Sequence, residues 1–193
     1  MKRTLALILL GVPVFAQKQE LGFTIGHLRG SDRGLVLRSQ GGTALQANYG
    51  YRVWENDSIA ISAEVHFLAS PLRKVTGLID STRDYASLYV TPAVRVKLHP
   101  RAHFQPYGAI GGGYALYEQS TTTLGGGPNP VARHIARGAL MYGGGIDFPV
   151  RKWMGVRGEV RDFYTGVPGY TLNATGRQHN VVSSIGFVLR FGE

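Results

Sequence analysis

The groups in this chain best placed to do chemistry are charged side chains two residues apart. Arg157, Glu159 and Arg161 form one such run and Arg95 with Lys97 another, while Arg52, Glu64 and Arg190 stand at alternate positions of similar segments. A spacing of two puts side chains on one face of an extended strand. If that face is enclosed, charges of both signs must pair, because an unpaired buried ion is strongly destabilising. A second set, His179 with Ser183 or Ser184 and Glu159, has the residue types of a base, a nucleophile and an orienting carboxylate. Strand parity divides it, with Ser183 on the face of Val181 and Ile185 and Ser184 on the opposite one. His99 and His103 would suit a metal on a helix, but Pro100 breaks any helix there, so a turn without metal is expected. The Gly125-Gly126-Gly127-Pro128-Asn129-Pro130 stretch lacks the Lys-Ser/Thr and helix of a phosphate loop and reads as a flexible loop. Asn173-Ala174-Thr175 matches a glycosylation acceptor, a pattern short enough to arise by chance.

The elements that must hold these groups are strands. The clearest is 181–191, where Val181, Ser183, Ile185, Phe187, Leu189 and Phe191 take one face and Val182, Ser184, Gly186, Val188 and Arg190 the other. One face suits hydrocarbon and the other a polar interior, the alternation of a membrane-spanning β-strand. Such a strand cannot cross a bilayer alone, since its backbone groups would go unpaired, so the chain must supply a closed barrel. Alternating segments at 19–28, 43–53, 58–68, 85–98, 104–117, 138–148 and 154–164 bring the total to an even-numbered eight. Gly111-Gly112-Gly113 blurs the parity of 104–117, and Pro92 predicts a local bulge. Connections alternate: short turns at 54–57, 99–103 and 149–153, and long polar loops at 29–42, 69–84, 118–137 and 165–177. In outer-membrane barrels the short side faces the periplasm. Tyr51, Trp54, Phe104, Tyr107, Phe148, Trp153 and Phe191 are expected to form a girdle at that end.

Lys2 and Arg3, the apolar run from Leu5 to Val14 and the small residue Ala16 predict a signal peptide at 1–16. The run is well short of the ~20 residues that a helix needs to span a bilayer. Gln17 after the cut offers no cysteine for a lipid, and residues 17–193 form one barrel domain. No cysteine occurs, which excludes disulfides, and 27 Gly with 10 Tyr suit a close-packed sheet better than helices. The net charge of +9 in an exported chain points to anionic lipid headgroups, not nucleic acid.

These features, with the stretch from Pro106 to Tyr114 and the terminal Phe187-Val188-Leu189-Arg190-Phe191, make the chain similar to the small outer-membrane β-barrel family, the broad group of OmpA, OmpX and Opa-type barrels. Such barrels usually end on the aromatic residue read by the insertion machinery, and here Gly192 and Glu193 follow it. The resemblance implies an all-β, eight-stranded antiparallel up-and-down transmembrane barrel in the bacterial outer membrane. Its partners would be outer-membrane lipid, lipopolysaccharide and the insertion machinery. It implies no cofactor and no catalysis, and the expected state is a monomer. Arg52, Glu64, Arg95, Lys97, Arg157, Glu159, Arg161 and Arg190 are expected to plug the lumen. Arg29, Arg33, Arg38, Arg73, Lys74, Arg133 and Arg137 are expected to serve surface binding from the loops. Three alternatives stand beside this reading. A lipid A deacylase-like enzyme would use His179, a serine and Glu159, although the His-x-Ser-Asn arrangement of those enzymes is missing. A narrow pore would favour anions. A soluble lipocalin-like carrier would turn Ile59, Ile61, Val65 and Phe67 inward and Glu64, Arg95 and Arg161 outward.

Overall fold

The computed structural model describes residues 19–30, 38–171 and 175–191. Eight long strands make the wall: β1 (Gln19–Gly30), β3 (Gly42–Glu55), β4 (Ile59–Thr76), β5 (Asp84–Leu98), β6 (Gln105–Gln119), β7 (His134–Arg151), β8 (Met154–Gly166) and β9 (Arg177–Phe191). A two-residue strand, β2 (Arg38–Ser39), pairs with the end of β4. The order β4-β3-β1-β9-β8-β7-β6-β5 closes on itself through β4 and β5, and every pairing is antiparallel. Closure leaves no strand edge, which is what hydrocarbon demands of a sheet.

Parity decides which face is in. Glu64, His66 and Leu68 of β4 are buried, whereas Phe67 is 42% exposed; Arg95 and Lys97 of β5 are buried between the exposed Val94, Val96 and Leu98. The carrier reading is thereby overturned, because the apolar face looks outward. The girdle holds for Tyr51, Trp54, Phe104, Phe148, Trp153 and Phe191, all exposed, with the Phe104 and Phe148 rings edge to face at 5.6 Å. Tyr107 is a correction: it is 5% exposed and points into the lumen. The three glycines do not interrupt β6, whose register with β7 runs without a shift from Gln105↔Asp147 to Glu118↔His134.

Two further expectations change. Pro92 pairs with Val65 without a register shift; the bulges lie instead between Arg52 and Trp54, Ser70 and Arg73, and Pro149 and Arg151. The strands also run past the expected loop boundaries. Arg73 pairs with Tyr85, Lys74 with Asp84, Arg29 with Val181, and Arg137 with Ala115. The ladder therefore continues where composition reads as loop. The Gly125–Pro130 stretch is bonded to its neighbours: Gly125 N donates to Ile79 O and Leu124 N to Ser81 O, both at 2.9 Å, while Gly126 takes φ +84°. Thr82 N donates to Tyr170 O at 2.9 Å, tying the second long loop to the fourth.

Candidate functional site

At the short-turn end the inward positions of four strands, β3, β5, β8 and β9, converge on one carboxylate, Glu20 of β1. Arg95 Nη2 lies 2.5 Å from it, Lys97 Nζ 2.8 Å, Arg157 Nη2 and Arg190 Nε 3.4 Å each, and Arg52 Nη2 3.8 Å. Asp147 of β7 takes a forked bond from Arg157, Nε at 2.7 Å and Nη2 at 2.9 Å, and lies 2.8 Å from Lys97 Nζ. One turn of pairs higher, Glu64 sits between Arg161 at 2.8 Å and Arg95 at 3.2 Å, and Arg161 Nε donates to Glu159 at 3.0 Å. Tyr107 OH donates to Glu159 at 2.7 Å, and its ring lies under the guanidinium groups of Arg157 and Arg95 at 5.0 and 5.5 Å. Small residues make room for this. A Cβ on Gly50 would stand 2.7 Å from Arg95 Nη2, and one on Gly145 2.6 Å from Tyr107 OH.

All eight residues expected in the lumen are brought together, with Arg52 also paired to Glu55 at the periplasmic mouth. Sequence reasoning missed Glu20 and did not pair Asp147, although both stand at inward positions of their strands. With these two carboxylates included, the six cations of the expected set face four carboxylates rather than two. It also missed Arg73, which was expected in a loop. The bulge after Ser70 returns Arg73 to the inward face, where it is fully buried, donates to Asn180 Oδ1 at 3.0 Å and lies over the Tyr85 ring at 5.1 Å. The other large side chains of the loop-end half are mostly aromatic or apolar, with the buried amides Gln119, Gln178 and Asn180 among them. Phe163 lies 5.0 Å from Tyr89, Tyr117 packs edge to face on both Tyr85 and Tyr89, and Met141, Leu28, Leu68 and Val182 fill the rest. Burial pushes the Tyr170 hydroxyl, which donates to Gln178 at 2.9 Å under the loops, well above the usual tyrosine range.

The remaining cations lie apart. Arg29, Lys74 and Arg137 are exposed on strand ends, and Arg133 is bonded to Glu118 at 2.7 Å; that pairing holds the Glu118 carboxyl below its ordinary value. Arg33 and the side chain of Arg38 lie outside the described residues, as do residues 1–16 and Asn173-Ala174. His99 and His103 sit in the turn between β5 and β6, His99 at φ 47°.

The hydrolytic set is not assembled. Ser184 Oγ faces the lumen, where Gln46 Nε2 donates to it at 2.6 Å, beside Glu159. His179 faces outward and meets a different carboxylate, Asp162, at 2.6 Å, with Tyr142 OH also donating to Asp162 at 2.6 Å. Ser183 shares the outward face of β9 but lies roughly 13 Å along the strand from His179 at ~3.3 Å per residue, out of hydrogen-bond reach.

A closed eight-stranded barrel with an apolar wall, an aromatic girdle and a charged interior is matched by the comparisons with known proteins. The model of the family described as the outer membrane protein beta-barrel domain matches residues 4–191. No curated protein matches the chain. Among solved structures, Neisserial surface protein A is similar at 16% identity and a TM-score of 0.62, over 90% of this chain and 97% of that one. The outer membrane protein OprG from Pseudomonas aeruginosa is similar at 14% identity and a TM-score of 0.58, over 92% and 98%. The N-terminal β-barrel domain of Pseudomonas aeruginosa OprF is similar at 10% identity and a TM-score of 0.52, over 91% and 99%. The chain therefore belongs to the outer membrane protein β-barrel family, and its place is the bacterial outer membrane.

Proposed function

We propose that the protein is a monomeric, non-catalytic envelope barrel that conducts nothing through its lumen and meets anionic surfaces with its long-loop end. The observation that carries this reading is the buried network around Glu20, Asp147 and Glu64, whose cations occupy the space a solute would need. Opening a path would separate several of these pairs at once, each break leaving a buried charge without its partner. The exposed Arg29, Lys74, Arg133 and Arg137 at the long-loop end support the surface role, because cations near a membrane are drawn to anionic headgroups and polyanions. Residues 1–16 serve as the export signal in this reading, and N-terminal sequencing of the envelope-borne protein should begin at Gln17.

The test has two arms. Purified barrel in planar bilayers should give no resolvable steps of current, and steady anion-favouring steps would replace this reading with the pore. Proteoliposomes carrying the chain should bind a heparin-coated surface, and Lys74→Glu with Arg133→Glu should weaken that binding as salt does. Equal binding by the doubly reversed variant would remove the surface role.

A further inference from the structure

The outward face of β7, β8 and β9 carries polar groups, with the Asp162 carboxylate among them, within an otherwise apolar wall. Reading up the strands from the girdle, Phe148, Val156 and Phe187 are neighbours across the ladder, then Ile146, Gly158 and Ile185. Above them come Tyr142, Asp162 and Val181, and then Leu140, Tyr164 and His179. From Phe148 to Gly138, β7 climbs roughly 25 Å along the barrel axis at ~3.4 Å per residue and ~40° of tilt, which is the height of the apolar band in such barrels. The Tyr142–Asp162–His179 cluster thus stands just inside the outer leaflet, and Gly138 stands at its headgroup level.

At that level the wall opens into a crevice of about 550 Å³, lined by Arg137, Gly138, Leu140, Tyr164, Gly166 and Arg177 among others. A Cβ on Gly138 would meet nothing within 4 Å, so the opening is real space beside the strand. Arg137 lies across Gly166, where a Cβ would come within 2.8 Å of its Cδ, and is steadied by Nε donating to Val167 O at 3.3 Å. Arg177 stacks on the Tyr164 ring at 5.6 Å. Neither guanidinium meets a carboxylate among the described residues, whereas Arg133 nearby is bonded to Glu118. Two unneutralised guanidinium forks above an apolar floor suit a phosphate whose own body continues down into hydrocarbon. Below it, the Asp162 carboxylate and the Tyr142 and His179 side chains offer hydrogen-bonding groups to a hydroxyl- or amide-bearing body, at a depth where an alkyl chain alone would leave them unsolvated.

We infer that this crevice is a specific site for one phosphorylated glycolipid of the outer leaflet. Arg137 and Arg177 hold its phosphate, Leu140, Tyr164 and His179 lie beside its sugar, and Tyr142 and Asp162, one row lower, meet the amide and hydroxyl groups at the start of its acyl chains. The inference rests on the reading above only in taking the long-loop end as extracellular; it does not need Lys74 or Arg133.

The mature chain, folded in detergent micelles, would be mixed with diphosphorylated lipid A and the complexes weighed by native mass spectrometry. One phosphorylated lipid A should stay bound, and Arg137→Gln with Arg177→Gln should lower its retention by roughly tenfold or more, the loss expected when charge-assisted forks are removed. Lys74→Glu with Arg133→Glu should leave it unchanged, which separates this site from the surface role. Each variant's fold is checked by the heat-dependent shift on SDS gels. If the glutamine pair does not fold, Arg137→Lys with Arg177→Lys keeps the charge without the forks and should show an intermediate loss. Equal retention of dephosphorylated lipid A, full retention by a folded variant, or displacement by millimolar inorganic phosphate or by heparin would each overturn the assignment.

Discussion

The two halves of the lumen are filled by different physics, and they meet at a thin boundary. On the periplasmic side of Glu64 most large inward side chains are ionised, and several cations share one counter-ion, as around Glu20 and Asp147. On the loop side the volume is taken by Phe163, Tyr85, Tyr89, Tyr117, Met141 and Leu68, with Arg73 the buried cation among them. The His66 ring, 5.8 Å from Phe163, and Arg161 Nη1, 3.6 Å from Met141 Sδ, form the seam. The difference teaches that a narrow barrel can be closed by either means, but with unlike responses to damage. In the charged half, removing one partner strands the others, whereas in the aromatic half a loss is graded by the cavity it leaves.

The largest effect should come from Glu20→Ala, which leaves Arg95, Lys97, Arg157 and Arg190 without their common carboxylate; a loss of about 3–5 kcal/mol is expected. Urea unfolding of the barrel in lipid micelles measures it, and a loss below about 1 kcal/mol would erase the contrast between the halves. Phe163→Ala should cost about 3 kcal/mol, and Phe163→Leu markedly less, because the leucine refills part of the cavity. Combined with Glu20→Ala, the Phe163→Ala loss should add to within about 0.5 kcal/mol if the halves are independent. A larger coupling energy would move the boundary. Tyr107→Phe keeps the ring beneath Arg157 and removes only the bond to Glu159, so a loss of about 1–2 kcal/mol is expected from the same unfolding curves.

The smallest effect should be at Glu118. Its carboxyl is held low first by the hydrogen bond from Arg133 and then by that guanidinium's charge. A depressed carboxylate stabilises above its ordinary pKa, and the contribution goes as pH falls through the lowered value. Because the pair is solvent-exposed and screened, Glu118→Gln should leave the unfolding midpoint unmoved at neutral pH and in mild acid. A clear shift would mean that the loop ends are more tightly built than their exposure indicates.

How far residue types alone could be read depends on where parity is continuous. Along β8 and the lower part of β4 and β5 the alternation is clean, and Arg157, Glu159, Arg161, Glu64, Arg95 and Lys97 were all legible as inward. Asp162 was equally legible as outward, yet a carboxylate on a lipid-facing position attracts notice only once His179 and Tyr142 are seen beside it. Arg73 was not legible, because it falls within the stretch 69–84 that reads as loop, and the bulge after Ser70 reverses the parity. Tyr107 was lost to the neighbouring glycines, whose lack of side chains hides which face is which.

The sequence by itself determined that this chain makes strands with one apolar and one polar face, that there are eight long ones, and that their connections are short at one end and long at the other. Period-two alternation and turn length are local properties, written within a few residues. Only the tertiary structure decided that Glu20 stands at the centre of the network, that Arg73 is buried, and that Arg137 and Arg177 flank one crevice. Those are consequences of register between strands distant in sequence, and register is set by closing the whole ring at once.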